Sequence, residues 1–305
     1  MASLVLRRLA QAALILLGVA AITFVLLYAL PADPARMIAG RSATAQTVAN
    51  IRHELGLDQP LLVQFGTYLG NLLHGNLGRS YAQKTDVWTL IAARLPATLT
   101  LMLAGIFVEV VLGLTLGTIA AVRRGGFVDR LVMMASFVGT SAPQFVALLL
   151  LYLLAATLGW FSMSGYGSFS HLVLPAVTLG ICGAGWYARM VRSSMIDVLN
   201  QDYVRTARAK GLSSKRVILR HALPNAVLPI IAMIGIDIGQ FMGGVVVVEA
   251  VYGWPGIGQL AWQAIQQVDI PIIMGVTLTS ALAIIIGNLL ADLVAPVIDP
   301  RIRTR

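Results

Sequence analysis

The 305-residue sequence predicts an all-α membrane protein with six transmembrane helices and both chain ends on the cytoplasmic side. Three observations predict it. The chain is 58% hydrophobic, only 11% charged, and has a mean hydropathy of +0.82, whereas a soluble domain averages about 25% charged residues. No soluble core hides that much apolar sequence, so the solvent is lipid, where backbone polar groups must pair within helices. Six apolar runs, near 9–30, 97–122, 131–158, 172–192, 226–250 and 272–298, are long enough to cross a bilayer, which takes about 20 helical residues for roughly 30 Å of hydrocarbon. Finally, sixteen of the 22 Lys and Arg lie before the first run, after the sixth, or in the loops 123–130 and 189–220. Positive charge marks the cytoplasmic side of short loops. The net charge of +9 therefore sets orientation and gives no reason to invoke a nucleic acid partner.

The first run follows Arg7 and Arg8 and carries no charge until Asp33. It exceeds the apolar core of about 7–15 residues in a signal peptide, so it is expected to be a retained span. Residues 31–96 form an external loop in a single transmembrane domain covering 1–305. Its opening "PADPARMIAG" predicts a turn, and "GLDQPLLVQFGTYLGNLLHGNLG" a short amphipathic element broken by glycines. Run two contains Glu109, Gly113 and Gly117. The opposite external loop, 159–171, has no Lys or Arg. Run five contains Asp237 and three glycines four apart, Gly235, Gly239 and Gly243, a smooth face for close helix packing. That face suits either a partner or this chain's own helices. After it, "YGWPGIGQ" places Trp254 where tryptophans anchor at the membrane interface. Run six contains Asp292.

The loop 193–225 differs from its surroundings. Its stretch "YVRTARAKGLSSKRVILRHALPNA" holds six Lys and Arg. Met195, Leu199, Tyr203, Thr206 or Ala207, and Lys210 recur at helical steps, with Asp197, Gln201, Arg205 and Arg208 on the other side. Asp202 and Arg205 stand three apart and can pair. Gly211 is expected to stop the helix in a left-handed conformation. Ser213 or Ser214 is placed to cap a second helix containing Val217, Ile218, Ala222 and Leu223, and Pro224 to end it. Three readings are open for this loop: orientation and interfacial anchoring, an anionic-lipid patch, and a docking knob for a cytoplasmic protein.

This stretch resembles the "EAA" loop of ABC importer permeases: Glu-Ala-Ala, three residues, Gly, nine residues, Ile, one residue, Leu-Pro. Gly211 sets the register, with Arg205-Thr206-Ala207 at the Glu-Ala-Ala positions and Leu223-Pro224 at the end. Ala207, Gly211, Leu223 and Pro224 match; Arg205 and His221 replace the glutamate and isoleucine. "DYVRTARAKGL", "LRRL" with "LPADPA", "GLDQPLLVQFGTYLGNLLHGNLGRS", "VVEAVYGWPGIGQLAWQAIQQVDIPIIMG" and "DPRIR" are similar to the dipeptide, oligopeptide and nickel branch, almost end to end. The resemblance implies the type I importer (MetI-like) permease fold in a bacterial inner membrane. It implies a second, homologous permease, two cytoplasmic ATPases that bind ATP and Mg, and an external substrate-binding protein. It gives Asp202, Arg205, Thr206, Ala207, Arg208, Ala209, Lys210, Gly211, Leu223 and Pro224 the role of coupling to the ATPase. Trp254, Pro255 and Gly256 would then face the gate and the binding protein. Di- and oligopeptides are the expected substrates, with nickel complexes and glutathione as alternatives.

Carboxylates within spans are costly and face protein or water. Glu109, Asp237 and Asp292 therefore either line a path, together with the Gly235, Gly239 and Gly243 face, or pair with polar partners on other helices. Cys182 is the only cysteine, so no internal disulfide or cysteine metal cluster is expected. His53, His74, His171 and His221 have no metal-ligand spacing. "GLSSKR" lacks the spacing of a phosphate loop, and no H-E-x-x-H or G-x-S-x-G pattern occurs. The chain itself is thus expected to hydrolyse nothing and to hold no cofactor. The rival class is an intramembrane enzyme using Asp237 and Asp292 as a pair.

Overall fold

The structure, a computed structural model, describes residues 2–29, 34–40, 43–54, 56–159, 162 and 164–298. It describes their side chains except at 2–7, 9, 27–29, 34, 37, 243, 244 and 291–298. The described residues are helical almost throughout. In chain order the helices are α1 (Ala2–Ala29), α2 (Pro34–Ala39), α3 (Ala45–Glu54), α4 (Leu61–Leu73), α5 (Val87–Val122), α6 (Phe127–Ser141), α7 (Gln144–Leu158) and α8 (Phe169–Leu199). They continue with α9 (Asp202–Ala209), α10 (Ser214–Arg216), a π-turn (Val217–Ala222), α11 (Leu223–Ala226), α12 (Leu228–Gly244), α13 (Val246–Tyr252), α14 (Ile257–Gln267) and α15 (Ile270–Ile298).

Among the described residues, α5, α8 and the Ile270–Leu290 part of α15 are each long and apolar enough to cross a membrane, and two bent pairs raise the candidates to five. Two of the six expected runs are not single helices. The third breaks between α6 and α7 with a bend of 108°. The break falls at Pro143, which disfavours helical backbone at the residue before it, and Ala142 is extended at ψ 134°. The fifth breaks at Val245, next to Gly244. Conversely, α5 starts ten residues before the expected boundary at 97 and runs through Pro96. The glycines Gly66 and Gly70 do not interrupt α4, and the expected turn at 31–40 becomes α2 from Pro34 onward. Proline at a first helical position gives up an N–H that has no acceptor anyway.

The chain divides into two compact units. The first comprises 1–98, 242–246 and 255–285. Phe24 packs against Phe65 at 5.1 Å and Tyr68 at 5.9 Å between ring centroids, beside Ile270 and Met274. Buried Asp269 ties the 80–82 segment to the start of α15: its Oδ2 accepts from Ser80 Oγ at 2.5 Å and from the Ala82 amide at 2.9 Å. The preceding Val268 closes α14 in the left-handed region at φ 52°, which a β-branched side chain rarely adopts.

The second unit comprises 99–241, 247–254 and 286–305. Its centre is α8, on which α5 and α6 lie almost backbone to backbone. A Cβ at Gly117 would meet the Ala188 carbonyl oxygen at 2.6 Å, and one at Gly185 the Ser136 carbonyl oxygen at 2.7 Å. Gly113 likewise rests against Tyr187 and Ala188. Small residues thus do here what they do in membrane interiors generally, letting helices approach. Farther along, Tyr187, Val191 and Met195 of α8 pack on Ala222, Ala226 and Ile230.

Candidate functional site

Two regions of the second unit gather the residues singled out in the sequence. The first is the 200–226 loop. Asn200 ends α8, and Gln201 is extended at ψ 149° before α9 begins at Asp202. The expected stripe from Met195 to Lys210 is therefore not one helix. Its apolar face within α9 is Val204 and Ala207, both buried against Val217, while Tyr203 is exposed. Tyr203 follows the break, so the register carried over from α8 no longer applies.

The corner after α9 has a defined geometry. Gly211 sits at φ 77°. Its amide donates to the Arg208 carbonyl at 2.9 Å, and the Leu212 amide to the Ala207 carbonyl at 3.4 Å. That pair of bonds is the Schellman closure, and Leu212 packs beside Ala207 as such closures favour. Ser213 occupies the N-cap of α10, but its hydroxyl makes no capping bond. Pro224 does not end the second helix: it lies in the first turn of α11, where a missing N–H is harmless, and the chain turns instead at Val227. The Arg205–Asp202 pair is 3.5 Å long and fully exposed, so it contributes little to stability. Asp202, Arg205, Thr206, Arg208, Ala209, Lys210, Gly211 and Pro224 are exposed, Leu223 is half-buried, and Ala207 is an internal contact. The turn of α9 therefore presents a mostly basic outer face on a rigid corner.

The second region is a cavity of about 490 Å³ within the same unit, in the size range of small-molecule sites, roughly 300–1,000 Å³. It brings together two of the three carboxylates singled out in the sequence. Glu109 comes from α5 and Asp237 from α12, and both line it. Glu109 is buried, and its carboxyl lies against Gly183 of α8, where any Cβ would overlap it. The Tyr187 hydroxyl donates to Asp237 Oδ2. Gln144, Gln240 and Cys182 add further polar atoms to the wall. Arg189 stands beside it: Nη1 donates to Thr140 Oγ1 at 3.0 Å, and the guanidinium lies 4.7 Å from the Trp186 ring. Thr140 and Trp186 both line the cavity.

Other expectations fare differently. The side chain of Asp292 and the surroundings of Gly243 lie outside what the structure describes. The middle of α12 around Gly235 packs within this chain, where a Cβ at Gly287 of α15 would meet Ile238 at 2.7 Å and the Gly235 carbonyl oxygen at 3.4 Å. Trp254 is no interfacial anchor. It is 2% exposed and meets Tyr166 edge-on at 4.8 Å. The tight turn after Tyr252, where Gly253 is left-handed and the Trp254 amide donates to Glu249, folds the indole inward. Gly256 caps α14.

Tyr187, Arg189 and the Asp129–Arg192 fork, with N–O distances of 2.5 and 2.7 Å, were not singled out in the sequence. Nothing in the sequence marked Tyr187, although the small residues Gly180, Gly183 and Gly185 mark the α8 faces against which Val108, Glu109 and Ser136 lie. Among the described residues no group of three His, Cys, Asp or Glu is placed to hold a metal ion.

Comparison with known proteins decides the family. Residues 113–304 match the model of the binding-protein-dependent transport system inner membrane component, and residues 1–102 match its N-terminal companion. The chain belongs to that family. It is 41% identical over 312 residues to a "Putative peptide transport system permease protein" of Brucella abortus (strain 2308), with 99% of each chain covered. It is 42% identical over 304 residues to the glutathione transport system permease protein of Salmonella paratyphi A, again with 99% of each covered. Its fold is similar to that of a chain in the inward-facing MetNI methionine ABC transporter, with a TM-score of 0.58, 19% identity, and coverage of 68% of this chain and 96% of that one. A member of this family is a membrane transport component, and the intramembrane-enzyme class drops away.

Proposed function

We propose that this chain is the permease subunit of an ATP-driven importer of di- and oligopeptides, glutathione-like tripeptides included. It forms the translocation path with a second, homologous permease. Two cytoplasmic ATPases supply ATP hydrolysis, and an external binding protein delivers the substrate. The chain spans the membrane six times with both ends inside; three long helices, two bent pairs and the apolar Ala10–Leu26 stretch of α1 support that count. The α9 corner, closed at Gly211, docks on an ATPase. The observation that carries this reading is that the polar Glu109–Asp237 cavity and the exposed corner are joined by one helix, α8, in a chain whose relatives, named for peptide and glutathione transport, align over 99% of its length.

The test is a gentle affinity purification from the native host through a C-terminal tag, followed by peptide uptake in reconstituted vesicles. Recovery of ATPases and a second permease, with ATP-dependent uptake of a peptide, is the expected result. Reproducible recovery of this chain alone, intact and folded, overturns the importer assignment.

A further inference from the structure

We propose that Glu109 and Asp237 form a station in the path for a primary ammonium group of the transported peptide, an inference that rests on the peptide-permease reading. Both carboxyls open on the same cavity from different helices. Glu109 is 2% exposed, and its Oε2 has no hydrogen-bond partner among the described atoms. A buried carboxyl oxygen without a donor is an unmet demand for one. On Asp237, Tyr187 supplies a donor to Oδ2, which fixes that carboxyl's orientation.

A primary ammonium brings three N–H donors and one positive charge. The two carboxyls lie within hydrogen-bond reach of each other, and an ammonium between them meets the acceptor left at Glu109 Oε2 and offsets the cost of holding the pair away from water. A bare divalent cation fits less well, since hard cations take six or more oxygen ligands or keep their waters. Among the described residues no group of three His, Cys, Asp or Glu is placed to hold a metal ion. Arg189, held at the cavity through Thr140 and Trp186, adds a positive group that attracts a peptide's carboxylate.

Cys182 lines this cavity and is the chain's only cysteine, so it reports occupancy directly. The experiment measures the rate at which N-ethylmaleimide alkylates Cys182, read by intact mass of this chain, in the purified complex with its partner subunits. The probes are trialanine, N-acetyl-trialanine, and N-acetyl-Ala-Ala-Lys, each at millimolar concentration. Trialanine should slow alkylation about fivefold or more, and N-acetyl-trialanine should leave it unchanged. N-acetyl-Ala-Ala-Lys separates the two sources of an ammonium: slowing places lysine side chains in the station too, and no slowing restricts it to the peptide N-terminus. In Glu109→Gln and Asp237→Asn the half-protecting concentration of trialanine should rise about tenfold, as loss of a charge-assisted hydrogen bond predicts. Equal protection by trialanine and its N-acetyl form overturns the station, whatever the variants do. So does absence of protection in a complex that takes up trialanine in vesicles. A complex that takes up none of the peptides shows instead that the peptide-permease reading has failed, and the station falls with it.

Discussion

Gly117→Ala should destabilise the protein although alanine is the better helix former. The substitution alone gains roughly 0.5–1 kcal/mol in a helix interior. Against this, the new Cβ would sit 2.6 Å from the Ala188 carbonyl oxygen and 2.7 Å from Val191 Cβ. Ordinary contacts between carbon and its neighbours lie at about 3.5–4.0 Å, so α5 and α8 must separate locally by about 1 Å. The nearer obstacle is backbone and cannot rotate away. Overpacking of this kind costs typically about 1–3 kcal/mol, and a backbone obstacle puts the cost toward the upper end, so the net loss is up to roughly 2.5 kcal/mol. Two controls grade the effect. At Gly105 the nearest atom is Leu179 Cβ at 3.1 Å, which is tied to the backbone but needs to give only a few tenths of an ångström, so Gly105→Ala should cost less than Gly117→Ala. At Gly66 nothing lies within 4 Å, so Gly66→Ala should stabilise slightly. Thermal unfolding of the three variants in one detergent should rank the melting temperatures Gly66→Ala, Gly105→Ala, Gly117→Ala from highest to lowest. A Gly117→Ala variant melting at or above wild type would refute the close approach of these helices.

Two further outcomes are expected. Gly211→Val places a β-branched side chain at φ 77° with open space around it, so the penalty of about 1–3 kcal/mol is backbone strain alone; co-purified ATPase should fall while membrane insertion holds, and Gly211→Asn, which tolerates that conformation, should recover most of it. Asp269→Ala leaves the Ser80 hydroxyl and Ala82 amide without their acceptor, at about 1–3 kcal/mol for groups buried unpaired. The segment around residues 79–86 should then be cut faster in limited proteolysis, and an unchanged cleavage pattern would count against the tie.

Much of this architecture could be read from the order of residues, because lipid imposes one demand, about 20 apolar residues per crossing, that hydropathy meets almost alone. The Gly211 corner was legible for a similar reason: a left-handed closure leaves few residue choices. What escaped depended on neighbours distant in sequence. Pro96, Pro175 and Pro143 are chemically identical, yet the first two lie within continuous helices and the third bends the chain by 108°; the tertiary surroundings of each set the outcome. Pro224 reads as a stop in the sequence, because its role as a first-turn residue appears only once the preceding π-turn is known. Of the site, Asp237 and Glu109 stood out as charges in lipid. Tyr187, which orients one of them from fifty residues away, had no such mark, since a tyrosine in an apolar helix is unremarked until its hydroxyl has a partner. Trp254 failed in the opposite way: its position near a span end suggested an anchor, and the turn before it buried the ring.

The continuity of α8 sets how motion can pass through this molecule. At 1.5 Å per residue, its 31 residues form a rod of about 46 Å. Its one internal proline, Pro175, lies before Cys182, Gly183 and Tyr187, so the stretch from the cavity to Leu199 has no joint. Tyr187 stands about 18 Å along the axis from that end, and α9 begins three residues beyond it. A displacement of the Leu199 end of α8 would therefore reach the cavity wall as a tilt or a slide of the whole shaft rather than as a bend. Its glycine contacts with α5 and α6 are the bearings on which such a stroke would turn, and their tightness limits how far it can go.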